Sequence, residues 1–165
     1  MHDKNACAER FSQNITMSSF KGSFTYTVDS KGRINIPAKM RKNLSPEANN
    51  SFVITRGFEP CIFVYPHDEW MKREAEIGRL QQTDPQHRFF TRMLLQHATD
   101  AELDGQSRII LPKELMQYAS IHGEVFILGV FDRIEVWNPE EYKKYLDAQQ
   151  EDYLTVASKV FEKKE

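Results

Sequence analysis

Apolar and polar residues alternate along several short segments of this chain. Residues 23–28 carry an apolar side chain at every second position, and residues 33–36 alternate in the same way. A period of two residues is typical of a strand that buries one face. Gly32 gives the connection between these segments the backbone freedom of a tight turn, and Pro37 suits the first turn of a helix. The pattern therefore predicts a strand, a turn, a second strand and a helix start.

This arrangement is repeated later in the chain. The sequence VDSKGRINIP at residues 28–37 is matched by LDGQSRIILP at residues 103–112. Both copies have an apolar residue, Asp, three residues, Arg, an apolar–x–apolar strand and Pro. The apolar segments that follow also match in order, residues 52–57 with 125–129 and residues 62–65 with 134–137. A repeat of this length predicts two tandem units of one structure.

Further strands and helices follow from the same reasoning. Four apolar segments are predicted to be strands, at residues 52–56, 61–65, 124–128 and 133–137. Helices are predicted at residues 37–44, 66–79, 85–97 and 112–118, each beginning at a Pro. A last helix is predicted to begin at Asn138-Pro139, with Tyr142, Tyr145, Leu146 and Tyr153 at helical spacings along it. We expect this helix to pack on a neighbouring subunit.

The predicted elements divide the chain into five parts. We expect a disordered N-terminal tail at residues 1–19, a first repeat at 20–80, a connecting helix at 81–98, a second repeat at 99–153, and a C-terminal helix end and tail at 154–165. Each repeat is so short that its own core would be marginal, so the two should share one core. The predicted fold class is therefore α+β and rich in strands, with peripheral helices.

Charge is distributed unevenly between the repeats. The net charge is −2, which taken alone does not indicate a nucleic-acid partner. Residues 21–43, however, contain six basic residues against Asp29 alone, whereas residues 100–120 contain four acidic and two basic residues. If DNA is bound, the first repeat should make most of the phosphate contacts.

The positive segment around Arg33 has two interpretations. It could be a solvated turn and helix face without a specific partner. Alternatively it reads DNA, since a two-stranded ribbon fits the major groove and an arginine fork matches two acceptors of guanine. Lys39, Arg41 and Lys42 would then hold phosphates, which position a protein without specifying a sequence.

The residues do not indicate a catalytic or metal site. Asp29 and Asp104 each have an Arg four residues further on, which would fix the turns and keep the carboxylates ionised. The sequence has no Ser/His/Asp or Cys/His set, and its five histidines lack ligand spacing, so we expect no enzyme, metal or cofactor. Cys7 and Cys61 cannot make a disulfide framework. Without a secretory signal or an apolar run of about twenty residues, the chain is expected to be cytoplasmic.

The paired turns resemble those of a known family. The sequence DSKGRINIPA at residues 29–38, with a second Asp-to-Arg copy downstream, resembles the MraZ family of the AbrB-like, swapped-hairpin DNA-binding class. The likeness runs from about Phe20 to about Tyr153. The family pattern has Gly directly before the Arg, whereas the second copy has Ser107 there and Gly105 two residues earlier. The sequence leaves open whether the second turn keeps the geometry of the first and whether it contacts DNA.

The resemblance implies a fold of two tandem AbrB-like swapped-hairpin β-barrel units related by a pseudo-two-fold axis. It also implies a transcriptional regulator that binds double-stranded DNA at short direct repeats in the promoter of the division and cell-wall gene cluster. Such a regulator would be a ring-like, nucleoid-associated homo-oligomer without a small-molecule substrate. The matching DNA-binding positions are Arg33, Lys31, Lys39, Arg41, Lys42, Arg108 and Gln106. The turn-shaping positions are Asp29, Gly32, Asp104 and Gly105.

Two other functions are compatible with the same residues. The chain could be a non-catalytic oligomeric scaffold or protein-interaction module whose positive face docks an acidic partner. It could also be a hydrolase that uses Asp29 and Asp104, although the arginine partners disfavour acid–base work. Steep salt dependence and sequence preference would distinguish a DNA-binding regulator from a scaffold.

Overall fold

The two repeats build the same order of elements. The structure, a computed structural model, describes residues 17–162. Residues 1–16 of the predicted tail at 1–19, including Cys7, and the chain end at 163–165 lie outside the described residues. Within residues 17–162, each repeat consists of two strands, a helix, two strands and two helices. The duplication predicted from the sequence is therefore confirmed.

The bounds of the helices and strands are as follows. The first repeat contains β1 (Ser23–Thr27), β2 (Arg33–Asn35), α1 (Ala38–Arg41), β3 (Ser51–Arg56), β4 (Ile62–Pro66), α2 (His67–Gly78) and α3 (Pro85–Leu95). The second repeat contains β5 (Thr99–Glu102), β6 (Arg108–Ile110), α4 (Lys113–Tyr118), β7 (Glu124–Val130), β8 (Arg133–Trp137), α5 (Pro139–Asp147) and α6 (Tyr153–Glu162). A short 3-10 helix, Pro46–Ala48, lies between α1 and β3.

The first two strands of each repeat pair with strands of the other repeat. β1 pairs antiparallel with β7, and β5 pairs antiparallel with β3. β2 and β6 pair with each other as a separate two-stranded ribbon. The hairpins β3–β4 and β7–β8 join through β4 and β8, so the main sheet has the order β1-β7-β8-β4-β3-β5. This reciprocal exchange is the swapped-hairpin arrangement, and it covers strand edges that a single repeat would leave open.

One hydrophobic core is shared by both repeats, as predicted. The equivalent residues Ile34 and Ile109 are each 1% exposed, and Ile54 and Ile127 are fully buried in the same cluster. Burying a side chain of this size contributes about 1.5–3 kcal/mol. A second cluster lies on the helix-covered side of the sheet and includes Phe63, Tyr65, Trp70, Leu94 and Trp137. The ribbon of β2 and β6 is thus fixed by a core that neither repeat encloses alone.

The C-terminal region differs from the prediction of a single last helix. The chain forms α5 and α6, separated by residues 148–152. These residues contain no Gly or Pro, so the sequence lacks a helix-breaking signal there. Asp152 caps a new helix, because its Oδ1 accepts the backbone N–H of Thr155 at 2.8 Å. Tyr153 therefore begins α6 and does not extend α5.

Two further boundaries differ from those expected. The predicted basic helix at residues 37–44 is α-helical only over α1, because Asn43 and Leu44 donate their backbone N–H groups three residues back, to Met40 and Arg41. Ser18, placed in the predicted disordered tail, is 2% exposed and accepts the Ser45 N–H at 2.9 Å. The packed structure thus already includes Ser18.

Within residues 17–162, none of the helices has the length and apolar character needed to cross a lipid bilayer.

Candidate nucleic-acid interface

The first Asp-to-Arg turn is closed by a set of hydrogen bonds around Asp29. The Asp29 carboxylate accepts the backbone N–H groups of Lys31 and Arg33 through Oδ1, each at 2.9 Å, and Nε of Arg33 through Oδ2 at 2.6 Å. The Asp29 backbone N–H donates to the Arg33 carbonyl at 3.0 Å. The contact of Asp29 with Arg33 predicted from the sequence is therefore present, and it orients the guanidinium.

Gly32 is required by this turn for two reasons. Its φ of +76° lies in the left-handed region, which residues with a side chain rarely adopt. A Cβ atom at this position would also lie only 3.2 Å from the carbonyl oxygen of Leu111. The carbonyl of Gly32 itself accepts the Leu111 N–H at 2.8 Å, so the first turn is bonded directly to the second repeat.

The second turn has the same geometry as the first. Asp104 accepts the N–H groups of Gln106 and Arg108 at 2.8 and 3.0 Å, and it accepts Nε of Arg108 at 2.8 Å. Ser107, the counterpart of Gly32, adopts a φ of +61°. Its carbonyl accepts the Ile36 N–H at 3.0 Å, which mirrors the bond between Gly32 and Leu111.

Gly105, given above as a turn-shaping position, does not adopt the left-handed conformation that Gly32 has in the first turn. The glycines with left-handed backbone among the described residues are Gly22 and Gly32, and Gly105 is not one of them. A Cβ atom at Gly105 would meet nothing within 4 Å. Ser107 takes the left-handed conformation instead, because the Asp104 hydrogen bonds and the bond to Ile36 fix the backbone on both sides. Such a conformation costs roughly 1–2 kcal/mol in a non-glycine residue.

The two turns lie side by side. Antiparallel pairing of β2 and β6 sets Asn35 opposite Arg108 and Arg33 opposite Ile110. As a result, Nη1 of Arg108 lies 4.0 Å from Oδ2 of Asp29 in the other turn. The side-chain amide of Asn35 also donates to the Gln106 carbonyl at 3.2 Å. The predicted residues Arg33, Lys31, Arg108 and Gln106 are therefore brought together.

The outward face of the ribbon contains two residues that the sequence reasoning missed. Ile34 and Ile109 point into the core, so the alternate positions, which include Asn35 and Ile110, point away from it. Asn35 is exposed, and Ile110 is 62% exposed although it is apolar. The alternation of residues 33–36 could have identified Asn35 as an interface residue, because Asn35 shares a face of the strand with Arg33.

Two of the basic residues that follow the first turn, Arg41 and Lys42, lie beside the second turn. Lys39, Arg41 and Lys42 are exposed on and just after α1, while Met40 between them is buried. Arg41 and Lys42 line an open depression of about 520 Å³, and Asp104 and Ser107 of the second turn line the same depression. Nε of Arg41 donates to the Ile36 carbonyl at 3.1 Å. The positive charge of the first repeat thus extends to the second turn.

Both turn carboxylates are held in their ionised form. The pKa of Asp29 is lowered chiefly because its carboxylate accepts the backbone N–H of Arg33. The pKa of Asp104 is lowered for the same reason, by the backbone N–H of Arg108. An acceptor with a lowered pKa suits a role in holding an arginine and does not suit proton transfer near neutral pH.

Metal-ligating and thiol side chains are the remaining candidates for chemistry among the described residues. No group of three or more His, Cys, Asp or Glu side chains within residues 17–162 could hold a metal ion. Cys61 is fully buried, and burial raises the pKa of its thiol above the usual range. A buried, protonated thiol is a poor nucleophile, so this cysteine acts as a small core residue.

Two repeats that exchange strands around a ribbon with paired Asp–Arg turns define a tandem protein of the AbrB-like swapped-hairpin class. A family model described as "MraZ protein, putative antitoxin-like" matches residues 19–93 and 94–163, one match for each repeat. The chain belongs to the MraZ family.

Named relatives agree with this assignment over most of the chain. A protein of Natranaerobius thermophilus called "Transcriptional regulator MraZ" is 40% identical over 141 residues, which are 86% of this chain and 96% of the relative. A protein of the same name from Halothermothrix orenii is 42% identical over 139 residues, 84% of this chain and 94% of the relative. Their names describe regulators and not enzymes, in agreement with the absence of a catalytic set from the sequence.

Proposed function

We propose that this chain is a transcriptional regulator that binds double-stranded DNA with sequence specificity through the two adjacent turns. The observation that carries the proposal is the placement of Arg33 and Arg108 side by side, each oriented by an ionised Asp through Nε. The Nη side of such a fork can take the O6 and N7 acceptors of guanine in the major groove. An arginine held in this way loses little side-chain entropy when it binds.

The other residues of the interface have separate roles. Lys31 and Gln106 stand at the exposed tips of the two turns and contact base edges or the adjacent backbone. Asn35 and Ile110 extend the reading face, and an exposed apolar side chain suits the methyl group of thymine. Lys39, Arg41 and Lys42 hold phosphates and set the register of the protein on the duplex.

The finer assignment rests on the family resemblance. The DNA target is a set of short direct repeats in the promoter of the division and cell-wall gene cluster. The protein binds it in the cytoplasm, at the nucleoid, as a ring-like homo-oligomer whose subunits repeat the interface in one direction. Several subunits would sum their phosphate contacts, which compensates for a net charge of −2 per chain.

A fluorescence-anisotropy titration tests this function. The protein is titrated against the duplex just upstream of its own gene and against a scrambled duplex, each at two salt concentrations. We expect tight binding to the first duplex, weaker binding to the second, and a steep loss of affinity as salt rises. Arg33→Ala is expected to remove the difference between the duplexes.

Lys144→Ala provides the control, because Lys144 is exposed on α5 and paired with Glu141. It should bind as the wild type does. Equal, weak binding of the wild type to both duplexes would contradict the proposal, and the non-catalytic scaffold with a positive face would then be the better account.

A further inference from the structure

The ribbon of β2 and β6 is symmetric in its backbone but not in its outward side chains. Ile34 lies opposite its own counterpart Ile109, so a pseudo-two-fold axis passes between these two residues. The same axis relates Asn35 to Ile110, which differ in chemistry although both are exposed. A fully symmetric ribbon would suit a palindromic DNA site, because two-fold symmetry in a protein is matched by two-fold symmetry in its operator. The unlike pair removes that match.

Each end of the ribbon combines residues of both repeats. The register sets Arg33 opposite Ile110 at one end, which we call the Arg–Ile end. It sets Arg108 opposite Asn35 at the other, which we call the Arg–Asn end. Directly opposite residues of an antiparallel pair share a face, with Cβ atoms about 4.5–5.5 Å apart. Each end therefore places a strand residue of one repeat beside the Asp-bound arginine of the other.

The amide at the Arg–Asn end is suited to adenine. Nδ2 of Asn35 donates to the Gln106 carbonyl at 3.2 Å, and this bond holds the exposed side chain in place. A side-chain amide has two N–H donors and a carbonyl acceptor, so the second N–H and Oδ1 are left for another partner. Adenine presents the complementary N7 acceptor and N6 donor in the major groove. The Arg–Asn end can therefore take a guanine and an adjacent adenine.

The Arg–Ile end has different chemistry. Ile110 is 62% exposed, whereas the neighbouring Ile109 is 1% exposed in the core. The side chain of Ile110 cannot form a hydrogen bond, but it can bury an apolar group. The C5 methyl of thymine is the apolar group that base pairs present in the major groove. This end can therefore take a guanine and an adjacent thymine.

The phosphate contacts expected beside the ribbon are also one-sided. Three basic residues follow the first turn, namely Lys39, Arg41 and Lys42. At the spacing that relates Arg33 to Arg108, the second repeat has no basic residue at the equivalent positions, which are Glu114, Met116 and Gln117. The two repeats thus differ in charge as well as in the residues that face the bases.

We propose that the ribbon reads a directional DNA sequence and that Asn35 and Ile110 give it this direction. Arg108 and Asn35 take a guanine and an adjacent adenine at one end of the site. Arg33 and Ile110 take a guanine and an adjacent thymine at the other. The inference rests on the proposed function, because it requires the turns to lie in the major groove, and it adds the bases that are read and the orientation of the chain on them.

Base analogues test the two assignments on a duplex with one repeat unit. Uracil in place of thymine removes the C5 methyl, and 7-deazaadenine in place of adenine removes the N7 acceptor. Each thymine and adenine of the site is replaced singly, and affinity is measured by fluorescence anisotropy. We expect at least one uracil to weaken wild-type binding about fourfold, as for the loss of one buried methyl group. At least one 7-deazaadenine should weaken it about two- to tenfold, as for one lost hydrogen bond.

Two variants connect each analogue to one residue. Asn35→Ala should lose the response to 7-deazaadenine and keep the response to uracil, and Ile110→Ala should do the reverse. Met71→Ala is the control, because Met71 is 52% exposed on α2, outside the ribbon, and it should respond to both analogues as the wild type does. A purely structural role of Asn35 or Ile110 would weaken binding to all duplexes alike and preserve both responses, which would overturn the assignment.

A third variant tests the direction itself. Ile110→Asn makes the two ends of the ribbon alike, and circular dichroism verifies that this exposed substitution leaves the fold intact. We expect the variant to prefer a palindromic duplex, built by inverting the half-site in which 7-deazaadenine acts, over the natural site. The wild type should prefer the natural site. An unchanged preference of the folded variant for the natural site would contradict the proposal.

Failure of the inference can be distinguished from failure of the proposed function. A wild type that binds the one-repeat duplex and a scrambled duplex equally would refute the DNA-reading function and the inference with it. A wild type that binds the one-repeat duplex specifically, but responds to neither analogue at any position, would refute the inference alone.

Discussion

Arg33 and Arg108 have the same Asp partner geometry but different surroundings. Arg33 belongs to the repeat that carries Lys31, Lys39, Arg41 and Lys42, whereas the second repeat is acidic around its turn. We therefore expect Arg33→Ala to reduce specific DNA affinity by about 1–3 kcal/mol, roughly five- to 150-fold, and Arg108→Ala to reduce it less. Anisotropy titrations of the two variants on the same duplex measure the difference, and equal losses would refute the asymmetry.

The left-handed positions of the two turns lead to a prediction about stability. Gly32→Ala should lower the free energy of unfolding by about 1–2 kcal/mol, because Ala is strained at this φ and its Cβ approaches Leu111. Ser107→Gly should raise it by about 0.5–1 kcal/mol, since the relief of strain exceeds the extra chain entropy of Gly. Urea unfolding monitored by tryptophan fluorescence compares the variants.

Gly105→Ala is the matched control for these substitutions. Gly105 lies in the second turn, has space for a Cβ atom and does not have a left-handed φ. Its replacement should leave the stability unchanged or raise it slightly. A loss as large as that of Gly32→Ala would mean that the geometry assigned to the second turn is wrong.

At the scale of elements, α1 places three positive side chains beside the ribbon. The triple variant Lys39→Ala/Arg41→Ala/Lys42→Ala should bind DNA more weakly while keeping its preference for the specific sequence, because phosphate contacts do not read bases. Three lost phosphate contacts should reduce the slope of log affinity against log salt by about 2.7. Titrations at four or more salt concentrations give that slope, and an unchanged slope would exclude phosphate contacts by these residues.

The exchanged strands make each repeat dependent on the other. In residues 17–98 alone, β1 lacks β7, β2 lacks β6, and β3 lacks β5. We expect this fragment to remain unfolded or to self-associate by the same exchange, and to recover the native fold when mixed with residues 99–162. Circular dichroism and proton NMR of each fragment and of the mixture test this expectation. A fragment that folds as a stable monomer would contradict it.

The sequence predicted the positions of the strands and helices better than it predicted which strands pair with each other. Alternation at residues 23–28 identified β1, but local alternation carries no information about pairing with residues 124–128, about a hundred positions away. The repeat itself indicated a shared core, because two short units need one. The start of α6 was missed, since residues 148–152 contain no breaker and Asp152 acts through a side-chain cap within a polar stretch.

In the candidate site, too, the contacts within one turn could be predicted from the sequence, whereas features imposed by the surrounding structure could not. The spacing of Asp29 and Arg33 sufficed to predict their contact, because both belong to one turn. The conformation of Ser107 could not be predicted, since Ser disfavours a left-handed backbone and only the surrounding hydrogen bonds impose it. Ile110 was missed because an apolar residue in a strand is ordinarily expected to be buried.

At the scale of the whole molecule, the proposed head-to-tail assembly makes a prediction about DNA with two sites. A duplex with two direct repeats in their natural spacing should bind more tightly than a duplex with one repeat, because the second contact is intramolecular. Inverting one repeat, or shifting it by about half a helical turn, should remove the gain. Titrations of these four duplexes test the arrangement, and equal gains in both orientations would exclude a one-directional assembly.

The pairing of β1 with β7 also has a consequence during protein synthesis. Ser23 of β1 pairs with Leu128 of β7, so β1 leaves the ribosome long before its partner strand has been made. At about 5–20 residues per second, this delay is on the order of 5–20 seconds. During that interval the first repeat exposes unpaired strand edges and apolar side chains to other nascent chains. On a polysome, two neighbouring first repeats could exchange strands with each other, so chaperone occupancy of the nascent chain should peak while residues 30–120 emerge.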